Sequence, residues 1–412
     1  MTQQFAINLH SPDFKADPYP VFARVRSDDP VHLTEFPGNR QGWMITRYEE
    51  AEKVLRDPRF IKDQRHVLTP EQLQQLQQHY PVSDAPKQEQ AFAFSNNMLG
   101  SDPPDHTRLR SLVSLSFTPR LIEQWRERIQ AITNELLDAV QEKGKMDIVN
   151  DLAFPLPLMV ITEMLGIPPE DSGKFRAWSN SVIEASGNPE AFQKRRGEVI
   201  EFREYLRFLI NEKRKQLADD LMSLLIRNEE DGDKLSEGEL IAMVFLLLVA
   251  GHETTVNLIS NGALALMTHP EQMQALREHP ELLKSAIEEF LRFHGPLMTA
   301  TQRWAAEDVE LAGKLIRKND YVVIILASAN HDPAAFHNPD DLDITRSSNP
   351  HLAFGKGIHY CLGAPLARLE GQVAIGTLLQ RMPQLQLAVD AKELVWRPGA
   401  LIMGLRSLPV TF

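Results

Sequence analysis

The sequence predicts a mainly α-helical fold with small peripheral antiparallel β-sheets, and three observations support this class. Apolar residues recur at the three- and four-residue spacing of helices over most of the chain up to about Phe293. One uninterrupted helical pattern covers about residues 237–267. Segments with the residue types of strands are few and short.

The long helix has the best-defined ends of the predicted elements. Ahead of it, apolar spacing predicts helices over 106–116, 119–142, 151–165, 171–186 and 190–227. Ser236 and Glu239 form an S-x-x-E capping box at its start, and His269-Pro270 ends the pattern. Its roughly 31 residues would extend about 46 Å, enough to cross a whole domain. Because it is apolar nearly all round between 240 and 250, we expect it in the middle of the molecule.

The strand-like segments are peripheral additions to this helical frame. They cover residues 43–45, 309–311, 321–326 and 401–403. The chain shows no internal repeat and no boundary rich in linker residues. We therefore expect one domain over residues 1–412.

Composition and charge disfavour several classes of protein. Lys and Arg total 44 against 56 Asp and Glu, a net charge of −12, and no basic tract supplies the phosphate-neutralising surface that nucleic-acid binding needs. The longest apolar run, 241–250, is well short of the ~20 residues that cross a bilayer, so we expect no membrane insertion. The N-terminus lacks a secretory pattern, and Cys361 is the single cysteine, which favours a cytoplasmic protein.

Cys361 lies in segment 354–363, FGKGIHYCLG, where three glycines stand beside the single cysteine. Glycine lets a backbone adopt positive φ and approach a flat ligand closely. A helix is predicted from residue 364 to about 382, so Cys361 precedes a helix N-terminus whose amides stabilise a thiolate. A buried core thiol is one alternative, which the glycine spacing disfavours. A Cys–His hydrolase using His359 or His351 is another, but no third group or oxyanion site is visible.

The centre of the long helix carries polar residues in an apolar setting. Residues 251–255 read GHETT, a stretch of poor helix formers. The Thr254 hydroxyl can bond the Ala250 carbonyl, which tends to bend a helix. Burial of the Glu253 carboxylate without a partner is costly, so we interpret Glu253 and Thr254 as functional. The sequence assigns no role to His252.

Several segments together carry a family resemblance. The cysteine segment, AGHETT at 250–255, EFLR at 289–292, DITR at 343–346 and NPHLAFG at 349–355 resemble the bacterial haem-thiolate monooxygenases of the cytochrome P-450 superfamily. The resemblance covers essentially the whole chain in order, and the cysteine segment is its specific part. It implies the helical fold of that superfamily, haem b as cofactor and O2 as co-substrate. In that class a cysteine thiolate is known to push electron density onto the haem iron and favour O–O cleavage.

The resemblance implies roles for individual residues. Cys361 would be the proximal iron ligand, and Glu253 and Thr254 would deliver protons during catalysis. The haem propionates would be bound by His106, Arg110, Arg303 and His351, and the other cofactor contacts would be Ala250, Phe354, Gly355 and Gly363. Glu289 and Arg292 would form a buried pair that reaches Arg346 and ties the cysteine loop to the core.

The resemblance also places a substrate pocket that is apolar apart from one threonine. Its predicted lining is Phe94, Met98, Leu99, Val182, Ile183, Leu246, Val249, Ala250, Leu297, Met298, Thr299, Ile402 and Met403. Such a lining suits a medium-sized hydrophobic molecule such as a polyketide, terpenoid, steroid or fatty acyl compound. The expected reaction inserts one oxygen atom into a C–H bond, as hydroxylation or epoxidation.

Electrons must come from a separate protein, because the chain has no flavin or iron–sulfur segment. The resemblance implies a ferredoxin or flavodoxin with its reductase, drawing on NAD(P)H, and a monomeric enzyme. Since the chain is acidic overall, docking needs a local basic patch. The candidates are Arg108, Arg120, Arg126, Arg128 and Lys356. A non-catalytic haem or apolar-ligand carrier and a peroxide-driven peroxygenase stay open as alternatives.

Overall fold

The protein is mainly helical in a computed structural model that describes residues 7–37, 40–79, 96–168, 172–185, 189–230 and 235–412. The helices before the long one are α1 (Pro12–Ala16), α2 (Tyr19–Asp28), α3 (Tyr48–Arg56), α4 (Pro70–His79), α5 (Asp105–Ser114), α6 (Pro119–Glu123), α7 (Arg126–Gln141), α8 (Pro155–Leu165), α9 (Ser172–Ala185), α10 (Pro189–Lys215) and α11 (Leu221–Glu230). The others are α12 (Glu237–Thr268), α13 (Pro270–Glu278), α14 (Leu283–Phe293), α15 (Leu326–Ala329) and α16 (Ala364–Arg381). Residues Ile148–Ala153 form a π-helical turn before α8.

The predicted long helix is confirmed as α12. The Ser236 side chain accepts from the Glu239 N–H, and the Glu239 carboxylate accepts from the Ser236 N–H at 2.7 Å, which completes the predicted capping box. This reciprocal cap satisfies two backbone donors that the first helical turn leaves free. The main apolar core surrounds α12, with α8 and α16 packed against it. The long helix therefore occupies the middle of the molecule, as its apolar circumference predicts.

Within the described residues, the strands are short and form three sheets. They are β1 (Val31–Phe36), β2 (Arg40–Ile45), β3 (Phe60–Ile61), β4 (Lys145–Asp147), β5 (Arg303–Ala305), β6 (Val309–Leu311), β7 (Lys314–Ile316), β8 (Tyr321–Ile324), β9 (Gln386–Leu387) and β10 (Pro409–Thr411). Their orders are β1-β2-β8-β5-β3, β4-β10-β9 and β6-β7.

Two details of the sheets differ from the sequence-based expectation. β2 and β8 pair in parallel, with Trp43 opposite Val322, so the largest sheet is mixed and not wholly antiparallel. This pairing joins strands far apart in sequence, which local patterning does not reveal. Residues 401–403 form no strand, and only Ile402 makes an isolated antiparallel bridge, to Leu297.

In the part of the chain that the structure describes, two helical stretches are long and apolar enough to cross a membrane by length and composition, Ile148–Leu165 and Glu237–Thr268. In each, 72% of the most apolar window is buried inside the protein. Burial of this extent is typical of core helices.

Candidate active site

The loop that carries Cys361 has a fixed backbone conformation just before α16. The Cys361 N–H donates to the Phe354 carbonyl at 2.9 Å. Gly355 and Gly357 have φ values of +67° and +70°, in the left-handed region that favours glycine. A Cβ at Gly357 would also lie 2.8 Å from the Leu55 carbonyl oxygen. The turn therefore needs glycine at these two positions.

The Cys361 side chain has free surface although protein surrounds it, so it faces an internal space and not a packed core. Burial raises the pKa of the thiol, and the backbone N–H groups of Gly363 and Ala364 act in the opposite direction. The helix N-terminus thus favours the thiolate, as predicted, but burial outweighs it in the protein alone. A cation at the open face would supply the missing stabilisation.

Five basic side chains, which we call the basic pocket, converge beside the cysteine loop: Lys62, His106, Arg110, Arg303 and His359. The rings of His106 and His359 lie 4.4 Å apart, centroid to centroid. Burial first, and then the charges of the other four residues, lower the pKa of His359 to about 2. Burial also lowers the pKa of Arg303 to about 10. His359 is therefore neutral at neutral pH, and the positive charge of Arg110 and Arg303 disfavours any further cation.

Several polar atoms of the basic pocket have no hydrogen-bond partner of normal geometry among the described residues. They are Nε of Arg303, Nε2 of His359 and both ring nitrogens of His106, and a neutral imidazole donates from one of its two nitrogens. Asp102 lies nearby, but its carboxylate accepts from the Lys62 N–H at 2.9 Å. Buried polar groups are nearly always hydrogen-bonded, so the orphaned donors indicate a site for an anion.

The hydrogen bonds of His351 go to groups outside the basic pocket, which corrects its predicted role as a haem-propionate ligand. Its Nε2 lies 3.1 Å from Glu288 Oε2, and its Nδ1 accepts from the Ala353 N–H at 3.2 Å. Arg368 donates to both Glu288 oxygens at 2.7 Å. Both ring nitrogens of His351 are therefore engaged. His359, which the sequence-based assignment passes over, stands among the basic residues instead.

Glu289 and Arg292 form the buried pair that the sequence predicts. Both side chains are 0% exposed, and Arg292 Nε and Nη2 donate to the two Glu289 oxygens at 2.8 and 2.7 Å. Arg346 Nε adds a bond at 3.1 Å and Asn349 Nδ2 another at 3.0 Å. The pair thus links α14 to the segment that leads into the cysteine loop.

α12 is buried along nearly its whole length and opens only at its centre. Over residues 240–266, the positions that are not buried are Val249, Ala250, Gly251 and Thr254. Residues 250 and 254 share one helical face, and the Thr254 Oγ1 donates to the Ala250 carbonyl at 3.0 Å, as predicted. Because the helix is buried on either side, this face borders an internal space.

Glu253 is 2% exposed and has a partner that the sequence does not indicate. Arg397 Nη1 donates to its Oε2 at 2.9 Å. Its Oε1 lies 3.5 Å from His252 Nε2 and has no hydrogen-bond partner of normal geometry among the residues described. Burial alone would raise the pKa of Glu253, but His252 and Arg397 outweigh it and hold the pKa below its ordinary value. His252 itself is oriented by donating from Nδ1 to the Leu248 carbonyl at 2.7 Å.

The structure brings together part of the predicted substrate pocket. Leu297 forms the bridge to Ile402, and the Met298 N–H donates to the Leu401 carbonyl at 2.9 Å. Met298 and Met403 are 0% and 1% exposed, so they are packed in the core and present no surface to a pocket, which corrects their predicted role. The other lining residues described are buried or half-buried: Met98, Leu99, Val182, Leu246, Val249 and Thr299. Phe94 and the side chain of Ile183 lie outside the described residues.

Three site residues escape sequence reasoning for different reasons. His359 is within the cysteine motif, and its spacing two residues before Cys361 is a signal that local reading can use. Lys62 is not part of any motif in the sequence. Arg397 is 144 residues from Glu253. Only the folded chain brings those two to the site.

Comparison with known proteins identifies the family of the chain. The cytochrome P450 family model matches residues 185–383. The chain is 48% identical over 385 residues to cytochrome P450 CYP107DY1 of Priestia megaterium, with 93% of this chain and 92% of that protein covered. It is 43% identical to the polyketide biosynthesis cytochrome P450 PksS of Bacillus subtilis, with 99% of each covered.

Solved structures show the same relationship. Myxobacterial cytochrome P450 CYP267B1 in complex with myristic acid superposes with a TM-score of 0.91 at 42% identity, with 98% of each chain covered. P450BioI in complex with a hexadec-9Z-enoic acid ligated acyl carrier protein gives 0.87 at 40% identity, with 98% of this chain and 100% of that chain covered. With this identity along nearly its full length, a cysteine loop of this geometry and the acid and alcohol on α12, the chain belongs to the cytochrome P450 family of monooxygenases.

Proposed function

We propose that the protein is a haem-dependent monooxygenase that inserts one oxygen atom from O2 into a C–H bond of a medium-sized hydrophobic substrate. The observation that carries the proposal is the open centre of α12, where the Thr254 hydroxyl borders an internal space and the acid Glu253 adjoins it. A carrier of haem or of an apolar ligand needs neither group. A buried acid beside an alcohol is suited to moving protons.

The residues of the site fit a haem. The orphaned donors of the basic pocket suit the two haem carboxylates, with His359 taking the place first assigned to His351. Cys361 would be the iron ligand. Within the described part of the chain, no three His, Cys, Asp or Glu side chains cluster as a metal site, so the porphyrin would supply other ligands. When bound, haem with a thiolate ligand supplies O2 activation, which is a general property of this enzyme class.

Glu253 and Thr254 would manage protons in this site. The pKa of Glu253 is held below its ordinary value, so the carboxylate is ionised at neutral pH and can accept a proton. Oε1 has no hydrogen-bond partner of normal geometry among the described residues, with His252 Nε2 3.5 Å away, and would be the atom where a proton is taken up and released. The Thr254 hydroxyl would hold the water that receives it.

An apolar substrate is supported by the lining residues and by the relatives. PksS is named for polyketide biosynthesis, and a relative in Pseudonocardia autotrophica, 44% identical, is a vitamin D(3) 25-hydroxylase. A solved neighbour of 34% identity holds testosterone. We propose a polyketide, steroid, terpenoid or fatty acyl compound for this chain.

Electrons would come from NAD(P)H through a ferredoxin or flavodoxin with its reductase, to a monomeric enzyme in the cytoplasm. Three predicted docking cations are already in ion pairs: Arg108 with Glu239, Arg126 with Glu123 and Arg128 with Glu163. Near the cysteine loop and the α5–α6 turn, large apolar side chains are exposed: Leu115, Leu121, Ile358 and Tyr360. A docking surface that combines these with Arg120 and Lys356 is therefore more apolar than the charge argument predicts.

The test of haem ligation is a spectrum of the Cys361→Ser variant. The parent protein should show the strongly red-shifted Soret band of a thiolate-ligated haem in its reduced carbon-monoxide complex. Serine is a harder and much less acidic donor, so the variant should lose that band and its oxygenase activity. Thr254→Ala is the matched control and should keep the band. A Cys361→Ser protein that keeps both spectrum and turnover would overturn the proposed function.

A further inference from the structure

Residues 397–403 contact the C-terminal half of α12, at Glu253 and at Asn261. The Met403 N–H donates to the Pro296 carbonyl at 2.8 Å. Asn261 Nδ2, on α12, donates to the Met403 carbonyl at 2.8 Å. These bonds fix one end of the segment, which we call the 397–403 segment. At the other end, the Arg397 N–H donates to the Gly404 carbonyl at 2.8 Å.

Lys15 on α1 adds a side-chain anchor to these backbone bonds. Its side chain is 0% exposed, and Nζ donates to the Arg397 carbonyl at 2.8 Å and the Ile402 carbonyl at 2.5 Å. One ammonium group thus bridges two backbone positions of the 397–403 segment. Burial, and then the charge of Arg397, lower the pKa of Lys15 to about 7. A fully buried lysine is rare because removing an ammonium from water is costly, so its position calls for an explanation beyond packing.

The segment that Lys15 holds is in contact with the acid of the site. The backbone of Arg397 is bound by Lys15, and the guanidinium of Arg397 donates to Glu253 Oε2. The chain of contacts from Lys15 through Arg397 to Glu253 is therefore continuous. Ile402, which Lys15 also binds, forms the bridge to Leu297 at the predicted substrate pocket.

We propose that Lys15 and Arg397 are positioning residues for Glu253. Lys15 helps to fix the 397–403 segment, and Arg397 holds Oε2 of the carboxylate so that Oε1 is placed to exchange a proton. The inference rests on the proposed function of Glu253 in proton delivery. Lys15 touches neither the acid nor the reacting atoms. Its effect passes entirely through the segment, which distinguishes it from Glu253 itself.

The test compares variants of Lys15 in the haem-loaded enzyme without substrate. Lys15→Met keeps the length of the side chain and removes its donors, Lys15→Arg keeps donors, and Lys392→Met changes an exposed lysine near the same segment. The readouts are NADPH-driven hydrogen peroxide formation with a ferredoxin and its reductase, and its solvent isotope effect. We expect Lys15→Met to slow peroxide formation about tenfold, less than the roughly 10²–10⁴-fold that a proton-transfer group itself contributes, and to enlarge the isotope effect. Lys15→Arg should restore most of the rate, and Lys392→Met should match the parent.

A double variant separates positioning from general loss of stability. If Lys15 acts through Glu253, Lys15→Met combined with Glu253→Gln should give the isotope effect of Glu253→Gln alone. Additive effects would overturn the proposal. Should Lys15→Met yield no folded protein, Arg397→Met leaves the contacts of Lys15 with the backbone in place and must give the same enlarged isotope effect. A parent-like value in Arg397→Met, while Glu253→Gln is affected, would overturn the proposal.

Failure of the proposed function has a different signature. A Glu253→Gln variant with the isotope effect of the parent would show that Glu253 delivers no proton. A crystal structure of Lys15→Met then decides the positioning claim independently. Loss of the bond between Arg397 and Glu253 would support it, and retention of that bond at 2.9 Å would overturn it.

Discussion

Two buried acids on neighbouring helices have opposite surroundings. Glu289 on α14 is 0% exposed and accepts hydrogen bonds from three side chains and one backbone N–H. Glu253 on α12 is 2% exposed and accepts one bond, from Arg397, while its other oxygen has none of normal geometry among the described residues. Full satisfaction of a buried charge makes it a fixed part of the framework. Incomplete satisfaction leaves an atom that can exchange a proton.

The largest expected effect comes from breaking the ion pair of Glu289, the buried acid whose hydrogen bonds are fully satisfied. Arg292→Ala or Glu289→Ala leaves the partner charge buried and uncompensated, which typically costs about 3 to 5 kcal/mol. Since proteins are stable by only about 5 to 15 kcal/mol, we expect little or no haem-loaded protein. The measurement is haem content per chain with denaturant unfolding. Lys284→Ala, an exposed change on the same helix, is the control. Normal haem content in both variants would remove the contrast between the two acids.

Substitution of Glu253 should affect turnover and not folding. We expect Glu253→Gln to keep its haem, to slow oxygen-dependent turnover on the order of 10²-fold and to enlarge its solvent isotope effect, because proton delivery becomes limiting. The rate is measured with a substrate found by screening apolar compounds for a shift of the Soret band. A variant as fast as the parent would make Glu253 a structural acid like Glu289.

The neighbouring hydroxyl should affect how electrons are used. We expect Thr254→Ala to bind substrate and accept electrons but to divert much of the NAD(P)H consumed into hydrogen peroxide. The ratio of product to NAD(P)H, with peroxide assayed in the same tube, measures this. Thr268→Ala removes the same type of hydroxyl-to-carbonyl bond at the C-terminal end of the same helix and serves as the control. An unchanged ratio in Thr254→Ala would favour the peroxide-driven or carrier alternatives.

A third buried acid, Glu370, extends the comparison to the dependence of stability on pH. Glu370 on α16 is 1% exposed, and burial raises the pKa of its carboxyl to about 8. Between the ordinary value and pH 8 the folded protein binds a proton that the unfolded chain has lost, so stability falls as pH rises, by at most about 1.4 kcal/mol per pH unit. We expect Glu370→Gln to flatten this slope in denaturant unfolding of the haem-loaded protein from pH 5.5 to 7.5. Parallel slopes in Glu370→Gln and the parent would show that Glu370 is ionised in the fold.

Sequence reasoning succeeds where the information is local. The capping box fixes the start of α12 at the predicted residue, and the i, i+3 spacing of Glu289 and Arg292 places both on one face. It fails where partners are distant: no pattern links Arg397 to Glu253 or brings Lys62 to the basic pocket. The misassignment of His351 has another cause. Two histidines flank the same loop, and only tertiary packing on Glu288 distinguishes them.

The bond from Lys15 to the Ile402 carbonyl also sets a time for the maturation of the enzyme. The two residues are 387 positions apart, so the contact cannot form until the ribosome has synthesised the chain between them. At about 5–20 residues per second, synthesis of that stretch takes roughly 20 to 80 s. During this interval the Lys15 ammonium lacks both of the carbonyls that it binds in the folded protein. The acid of α12 therefore acquires its arginine only after residue 397 has been synthesised, when most of the helical frame has emerged.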